Sequence, residues 1–280
     1  MNDLLFSPEQ HAHAARLLAE FNTRYNSSLA ERAVHPDVDR ATLRALINSP
    51  LPHEGTSLDA LFEEFENVIV PNATHTAHPR FLPYVQPSPN SLSAYADHLA
   101  AILNQNCTLW HLSPSANAVE QAVTGWFANL FGLPEQSSGI ITSGGSMANL
   151  IALTAARDHY LGPNAREQGL QSQTSPLVVY ASDETHACID KAVSVLGLGT
   201  NNLRRIPTDD AFRIRLDLLS DAVAADRKSG RTPFCVVGNA GTVTTGAFDP
   251  IEELSQFCRT ENLWLHIDGA YGALAALSER

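Results

Sequence analysis

The sequence predicts an α/β fold, a mostly parallel sheet flanked by helices and preceded by a helical N-terminal segment. Three observations carry that expectation. Short apolar runs at 177–181 (LVVYA), 234–238 (FCVVG) and 263–268 (LWLHID) have the length and branched side chains of buried strands. Windows with helical spacing separate them. Small and polar residues gather just after these runs, at the strand ends where open parallel sheets bind ligands.

From the amino end, residues 8–21 carry Ala, Leu and Phe at helix-like spacing. Thr56-Ser57-Leu58-Asp59 opens a second helix, with Leu58, Leu61, Phe62 and Phe65 as its packing face, and Pro71-Asn72 ends it. Residues 78–89 hold too many prolines for a regular helix and read as an extended stretch or loop. The pattern changes near residue 75, so the chain divides into a helical segment, 1–75, and an α/β domain, 76–280. In that domain 91–105 and 119–131 read as helices, the second stopped by Gly132-Leu133-Pro134. Residues 140–142 read as a short strand, and 147–159 as a helix apolar nearly all round, hence buried. Strands at 177–181, 203–206, 234–238 and 263–268 then alternate with helices at 188–196, 216–227 and 251–260.

Composition narrows the function. The 280 residues carry a formal charge of −12, from 18 Lys+Arg against 30 Asp+Glu, which argues against nucleic-acid binding. With 44% apolar and 17% charged residues the chain is a globular protein and not a disordered one. No apolar run approaches the roughly 18–20 residues of a membrane span. The start, Met1-Asn2-Asp3-Leu4-Leu5-Phe6, does not read as a secretory leader. Cys107, Cys188, Cys235 and Cys258 are scattered, so free, mostly buried thiols in a reducing cytoplasm are expected, without a metal site.

Four features fall at predicted strand ends. Thr142-Ser143-Gly144-Gly145-Ser146 runs into a helix, whose N-terminal amides and dipole suit an anion; it is neither GxGxxG nor a P-loop. Ser182-Asp183-Glu184-Thr185-His186 places an imidazole after the strand 177–181. Asn239-Ala240-Gly241-Thr242-Val243-Thr244-Thr245-Gly246 is a hydroxyl-rich turn. Leu265-His266-Ile267-Asp268-Gly269-Ala270 ends an apolar strand on a carboxylate, which needs a hydrogen-bonding or cationic partner. Each taken singly is an ordinary turn or cap. Together they offer an anion site, a flat ring and a buried acid, which are the requirements of pyridoxal phosphate.

With these segments in hand, the sequence resembles the group II pyridoxal-phosphate-dependent amino-acid decarboxylases. The matching segments are HPRFLPY, SGGSMANLIAL, SDETHACIDKA, NAGTVTTGAFDP and LWLHIDGAYGA, in family order over roughly residues 75 to 280. The resemblance implies the large domain of a fold-type I enzyme, pyridoxal 5'-phosphate as cofactor, an amino-acid substrate, and a homodimer with sites at the subunit interface. It implies that Gly144, Gly145 and Ser146 form the phosphate turn and that His186 stacks on the pyridine ring. Asp268 would pair with the ring nitrogen, Ala270 pack on the other ring face and Thr242 lie in a loop beside the cofactor. Tyr84 lies in the N-terminal loop that contributes to substrate choice. Val243 departs from the pattern, standing where many members have a second threonine, and Pro87 stands near a substrate-contacting threonine of some relatives. Trp110 is read either as facing a partner's site or as a core residue.

The family anchors its cofactor on a lysine in a His-Lys pair beyond the DGAY-type strand. This chain has two lysines, Lys191 and Lys228, both in predicted helices and both read as surface charge. The chain is therefore expected to be the N-terminal part of a decarboxylase that ends before its lysine, and inactive alone. The rivals are another fold-type I enzyme (an aminotransferase or desulfurase), a non-catalytic phosphate-ligand-binding or dimerising protein and, more distantly, a nicotinamide-dependent oxidoreductase.

Overall fold

The computed structural model describes residues 5–163 and 165–278. Residues 1–4, most of the start read as lacking a leader, and Arg280, where the chain is read as interrupted, lie outside the described residues. Two compact units divide the chain, Met1–Asn104 and Gln105–Arg280. The division lies well beyond residue 75, where the composition changes.

The first unit is helical: α1 (Pro8–Ser28), α2 (Arg40–Ile47), α3 (Leu58–Glu64) and α4 (Ser91–Leu103). A capping box starts α1, the Ser7 hydroxyl accepting from the Gln10 amide while the Gln10 side chain accepts from the Ser7 amide. It outruns its apolar stripe, and in its last turns Thr23, Asn26 and Ser28 turn back onto the carbonyls of Ala19, Asn22 and Arg24. Spacing alone does not announce α2. Its start is the Asp39 cap, which accepts from the amides of Ala41 and Thr42. As predicted, Ser57 caps α3 and the helical path ends at Asn72, and residues 78–89 form neither helix nor strand.

The second unit contains α5 (Pro114–Leu130), α6 (Gly145–Leu161), the short α7 (Ala165–Gln168), β1 (Leu177–Ser182), α8 (Cys188–Val195), β2 (Leu203–Ile206), α9 (Leu216–Lys228), β3 (Thr232–Asn239), α10 (Ile251–Thr260) and β4 (Trp264–Asp268). All strand pairs are parallel, in the order β2-β1-β3-β4. Side-chain alternation sends Val179, Ala181 and Val237 to one face, against Leu153 of α6 and Ile189 and Val193 of α8. Val178, Tyr180 and Val236 go to the other, against Leu219, Val223 and Leu254 of α9 and α10. Burial on both faces explains why β1 reads as an unbroken apolar run. Each such buried Val, Leu or Ile contributes about 1.5–3 kcal/mol.

Three expectations need correction. Residues 140–142 form no strand: no strand pairs with them among the described residues, and the Ile141 amide donates instead to the Glu120 carboxylate, 2.7 Å away. Helix α5 starts at Pro114, because Ser-Pro supplies a ready first turn. Helix α6 starts at Gly145 and buries one face (Asn149, Leu153 and Ala156), with Met147 exposed, so it is not buried all round.

One polar cluster is sealed beneath the sheet. Asp226 of α9 accepts from the Tyr180 hydroxyl at 2.9 Å and from Arg204 Nε and Nη2 at 2.9 and 2.7 Å. Burial alone would raise the Asp226 carboxyl, but the Arg204 and Tyr180 hydrogen bonds outweigh it and hold it below the usual carboxylate range. Replacing Asp226 by Ala strands the fully buried Tyr180 hydroxyl and leaves Arg204 without its bidentate acceptor. Urea unfolding of Asp226→Ala is expected to show a loss of roughly 3 kcal/mol. A loss below about 0.5 kcal/mol, as at ordinary surface sites, would contradict this role.

Candidate functional site

Strand β4 ends on Asp268, beside Asn239 at the end of β3. The Asp268 carboxylate is half-buried and has two partners on opposite sides. Its Oδ2 accepts from the Asn149 side-chain amide at 3.0 Å, and its Oδ1 from the Ala270 backbone amide at 3.2 Å. The buried acid thus finds both a backbone cap and a side-chain donor.

The glycine turn approaches from α6. Gly144 has φ +127°, which L side chains rarely adopt, and no side chain caps the helix it precedes. Among the hydrogen bonds of the described residues, none uses the amides of Gly145 and Ser146. They remain donors at the positive end of a 17-residue helix. A Cβ on Gly145 would stand 3.4 Å from the Ala270 Cβ, so this turn and the residue after Asp268 lie side by side. Three of the predicted elements (turn, acid and small residue) therefore meet.

His186 lies in the turn between β1 and α8 and is exposed. Its Nδ1 accepts from the Cys188 amide at 3.1 Å, which leaves Nε2 for another partner. The turn is clamped from two sides. Arg205 of β2 donates to the carbonyls of Ser182 and Thr185 and pairs with Asp190. The Asn239 amide lies 3.1 and 2.9 Å from the Ser182 and Thr185 hydroxyls. Asp249 accepts from both the backbone and side chain of Asn239 and from the Ile214 amide.

Thr242 is buried, and its hydroxyl is used within its own loop, 2.7 Å from the Thr245 hydroxyl and accepting from the Ala247 amide. That loop rests on the turn after β4. Gly241, at φ +88°, lies so close that a Cβ would meet Tyr271 at 2.9 Å. Val243 is exposed. Tyr84 belongs to the first unit. Its ring is 88% exposed and its backbone takes φ +65°, an uncommon state for an aromatic residue. Trp110 is exposed and so is not a core residue. Lys191 and Lys228 are exposed on α8 and α9.

Sequence reading gave no role to Asn149, Asn239, Asp249 or Arg205. For Asn149 a signal existed: one amide in the otherwise apolar run MANLIAL, on the face that α6 buries. Asn149 is 4% exposed and also lies 3.3 Å from the Cys188 sulfur and 2.5 Å from His266 Nε2. Burial lowers the His266 ring below its usual value, and the nearby Asp268 charge opposes part of that shift. Burial, reinforced by Asp268, pushes the Cys188 thiol up.

A parallel sheet with polar groups gathered at its carboxyl ends, beside an uncapped helix start, is the layout of α/β domains that hold small anionic cofactors. Within that class the chain belongs to the pyridoxal-dependent decarboxylase family: the pyridoxal-dependent decarboxylase conserved domain matches residues 41–280. It is 36% identical to the aromatic-L-amino-acid decarboxylase of Bacillus atrophaeus over 90% of this chain and 51% of that protein. Among solved structures, it is similar to Rhodiola rosea 4-hydroxyphenylacetaldehyde synthase (TM-score 0.88, 31% identity, 98% of this chain and 59% of the other). It is also similar to Oryza sativa TDC solved with PLP (TM-score 0.88, 28% identity, 98% and 61%). The chain spans about half the length of the curated relatives it matches. The fold is accordingly the fold-type I one, with a four-stranded sheet among the described residues.

The residues present fit pyridoxal phosphate: spare amides for the phosphate, a carboxylate for the ring nitrogen, and at Gly145 and Ala270 a surface kept free of bulk. The lowered His266 value has a consequence for stability. A histidine that binds its proton less readily when folded contributes fully above its ordinary value near 6.5. That contribution is lost as pH falls below it toward the native value. The melting temperature is expected to be lower at pH 5.5 than at 7.5, and His266→Gln, which takes up no proton, to reduce the drop. An equal drop in both proteins would contradict this.

Proposed function

We infer that the protein of which these residues form the cofactor-binding part decarboxylates an L-amino acid, giving an amine and carbon dioxide. The observation that carries the reading is the junction of Asp268, Ala270 and Gly145, an acid beside a helix start with no bulk between them. When bound, pyridoxal phosphate supplies an electron sink for bond breaking at the substrate Cα.

The residues of this chain bind and orient. Gly145 and Ser146 hold the phosphate through backbone amides and the Ser146 hydroxyl, on the Gly144 turn. Asp268 would hold the ring nitrogen and favour its protonated form through its negative charge. Ala270 would leave room beside the ring, and the exposed His186 imidazole would be available to stack on it. Thr242 shapes the adjoining loop through its bond to Thr245. Tyr84 contributes to substrate choice.

The family and the relatives' names support decarboxylation over the aminotransferase reading. The similarity to an aldehyde synthase makes aldehyde a product to be scored beside amine. Exposed apolar side chains on α5, Trp126 and Val119 among them, support a homodimer. Four free cysteines support a reducing compartment, the cytoplasm. No helix among the described residues is long and apolar enough to cross a membrane.

The 280-residue chain, whose two lysines are exposed helix residues, is expected to bind pyridoxal phosphate reversibly and to release no carbon dioxide from any amino acid. Equilibrium dialysis should show saturable binding that Asp268→Ala weakens at least about tenfold, a loss of ~1.4 kcal/mol. Absence of saturable binding would overturn the reading, and turnover by this chain alone would overturn the requirement for another lysine. For a protein joining this chain to such a lysine, a panel of L-amino acids led by aromatic ones is expected to yield amine and carbon dioxide. Transfer of the amino group instead would favour the aminotransferase.

A further inference from the structure

The roles given so far leave Asn149 unused, although it is a buried polar side chain with three partners, one of them Asp268. Its amide nitrogen lies 3.0 Å from Asp268 Oδ2 and 3.3 Å from the Cys188 sulfur; its oxygen lies 2.5 Å from His266 Nε2. An ionised carboxylate only accepts hydrogen bonds, so the Asn149 NH2 must face Asp268. A flipped amide would set two acceptors against each other in a buried place, at a cost of about 1–3 kcal/mol. The Asn149 oxygen then faces His266, whose Nε2 must carry a proton. Direction thus runs one way along the chain, His266 to Asn149 to Asp268.

We propose that Asn149 is a positioning residue for Asp268, with its own amide locked by His266, so that the three side chains act as one unit. This rests on the reading of Asp268 as the partner of the cofactor's ring nitrogen. Asn149 touches neither cofactor nor substrate in this scheme. It fixes which way the carboxylate points, with the Ala270 amide holding the second oxygen. The neutral ring that the burial of His266 favours is compatible with this arrangement.

The test uses the full 280-residue chain and three readouts. Nitrogen NMR of the wild-type ring should show His266 with its proton on Nε2. In Asn149→Ala the Ala270 amide should exchange with solvent about tenfold faster, because a released carboxylate no longer holds its place against it. Pyridoxal phosphate affinity should fall about tenfold in Asn149→Ala and in His266→Phe, with the double variant no worse than either. Leu153→Ala, a core cavity on the buried face of α6, controls for simple destabilisation and should leave both the exchange and the affinity within twofold of wild type. A proton on Nδ1, unchanged Ala270 exchange, additive losses, or equal losses in Leu153→Ala would each overturn the proposal. If the wild-type chain binds no pyridoxal phosphate, the functional reading fails by itself, and the tautomer and the Ala270 exchange still decide the role of Asn149.

Discussion

The half-buried Asp268 carboxylate stands at the end of an apolar strand, where an acid without partners costs an appreciable share of a domain's stability. Two elements of the second unit satisfy it. Helix α6 has to lie where Asn149 reaches it, and β4 has to stop where the Ala270 amide folds back onto it. Meeting both conditions brings the start of α6 beside Ala270, and with it a set of backbone donors. The satisfaction of a strand end and the placement of free helix-start amides beside Ala270 go together.

The same economy operates around His186. Its turn contains two buried hydroxyls, and the groups that satisfy or brace them, Asn239 and Arg205, come from β3 and β2, either side of β1. Parallel pairing places these strand ends in a row, so the ring is supported by the sheet and not by its own short loop. The turn can be exposed and still held. Asp226, Tyr180 and Arg204 do for α9 what Asn149 does for α6: a buried polar contact fixes how a helix seats on an otherwise apolar face.

Much of this was legible in the sequence, for identifiable reasons. Strands β1 to β4 are buried and apolar, and the helices between them are amphipathic, so period and length revealed both. Asp268, His186 and the glycine turn stood out because they interrupt or follow those runs. The segment 140–142 misled because apolar content alone does not make a strand; a pairing neighbour does. Helix α2 starts at the Asp39 cap and α5 at Pro114 in its first turn, signals separate from periodicity. Asn149, Asn239 and Arg205 were hidden for a different reason. Their partners lie far away in sequence, and no local pattern says that residue 149 meets residue 268.

In the proposed site the helix start at Gly145 and the carboxylate of Asp268 would hold the two ends of one cofactor. A crystal structure of this chain soaked with pyridoxal phosphate tests it most directly. Phosphate density is expected at the amides of Gly145 and Ser146, with the ring nitrogen within hydrogen-bond distance of Asp268. A phosphate bound elsewhere, or a ring turned with its nitrogen away from Asp268, would contradict it.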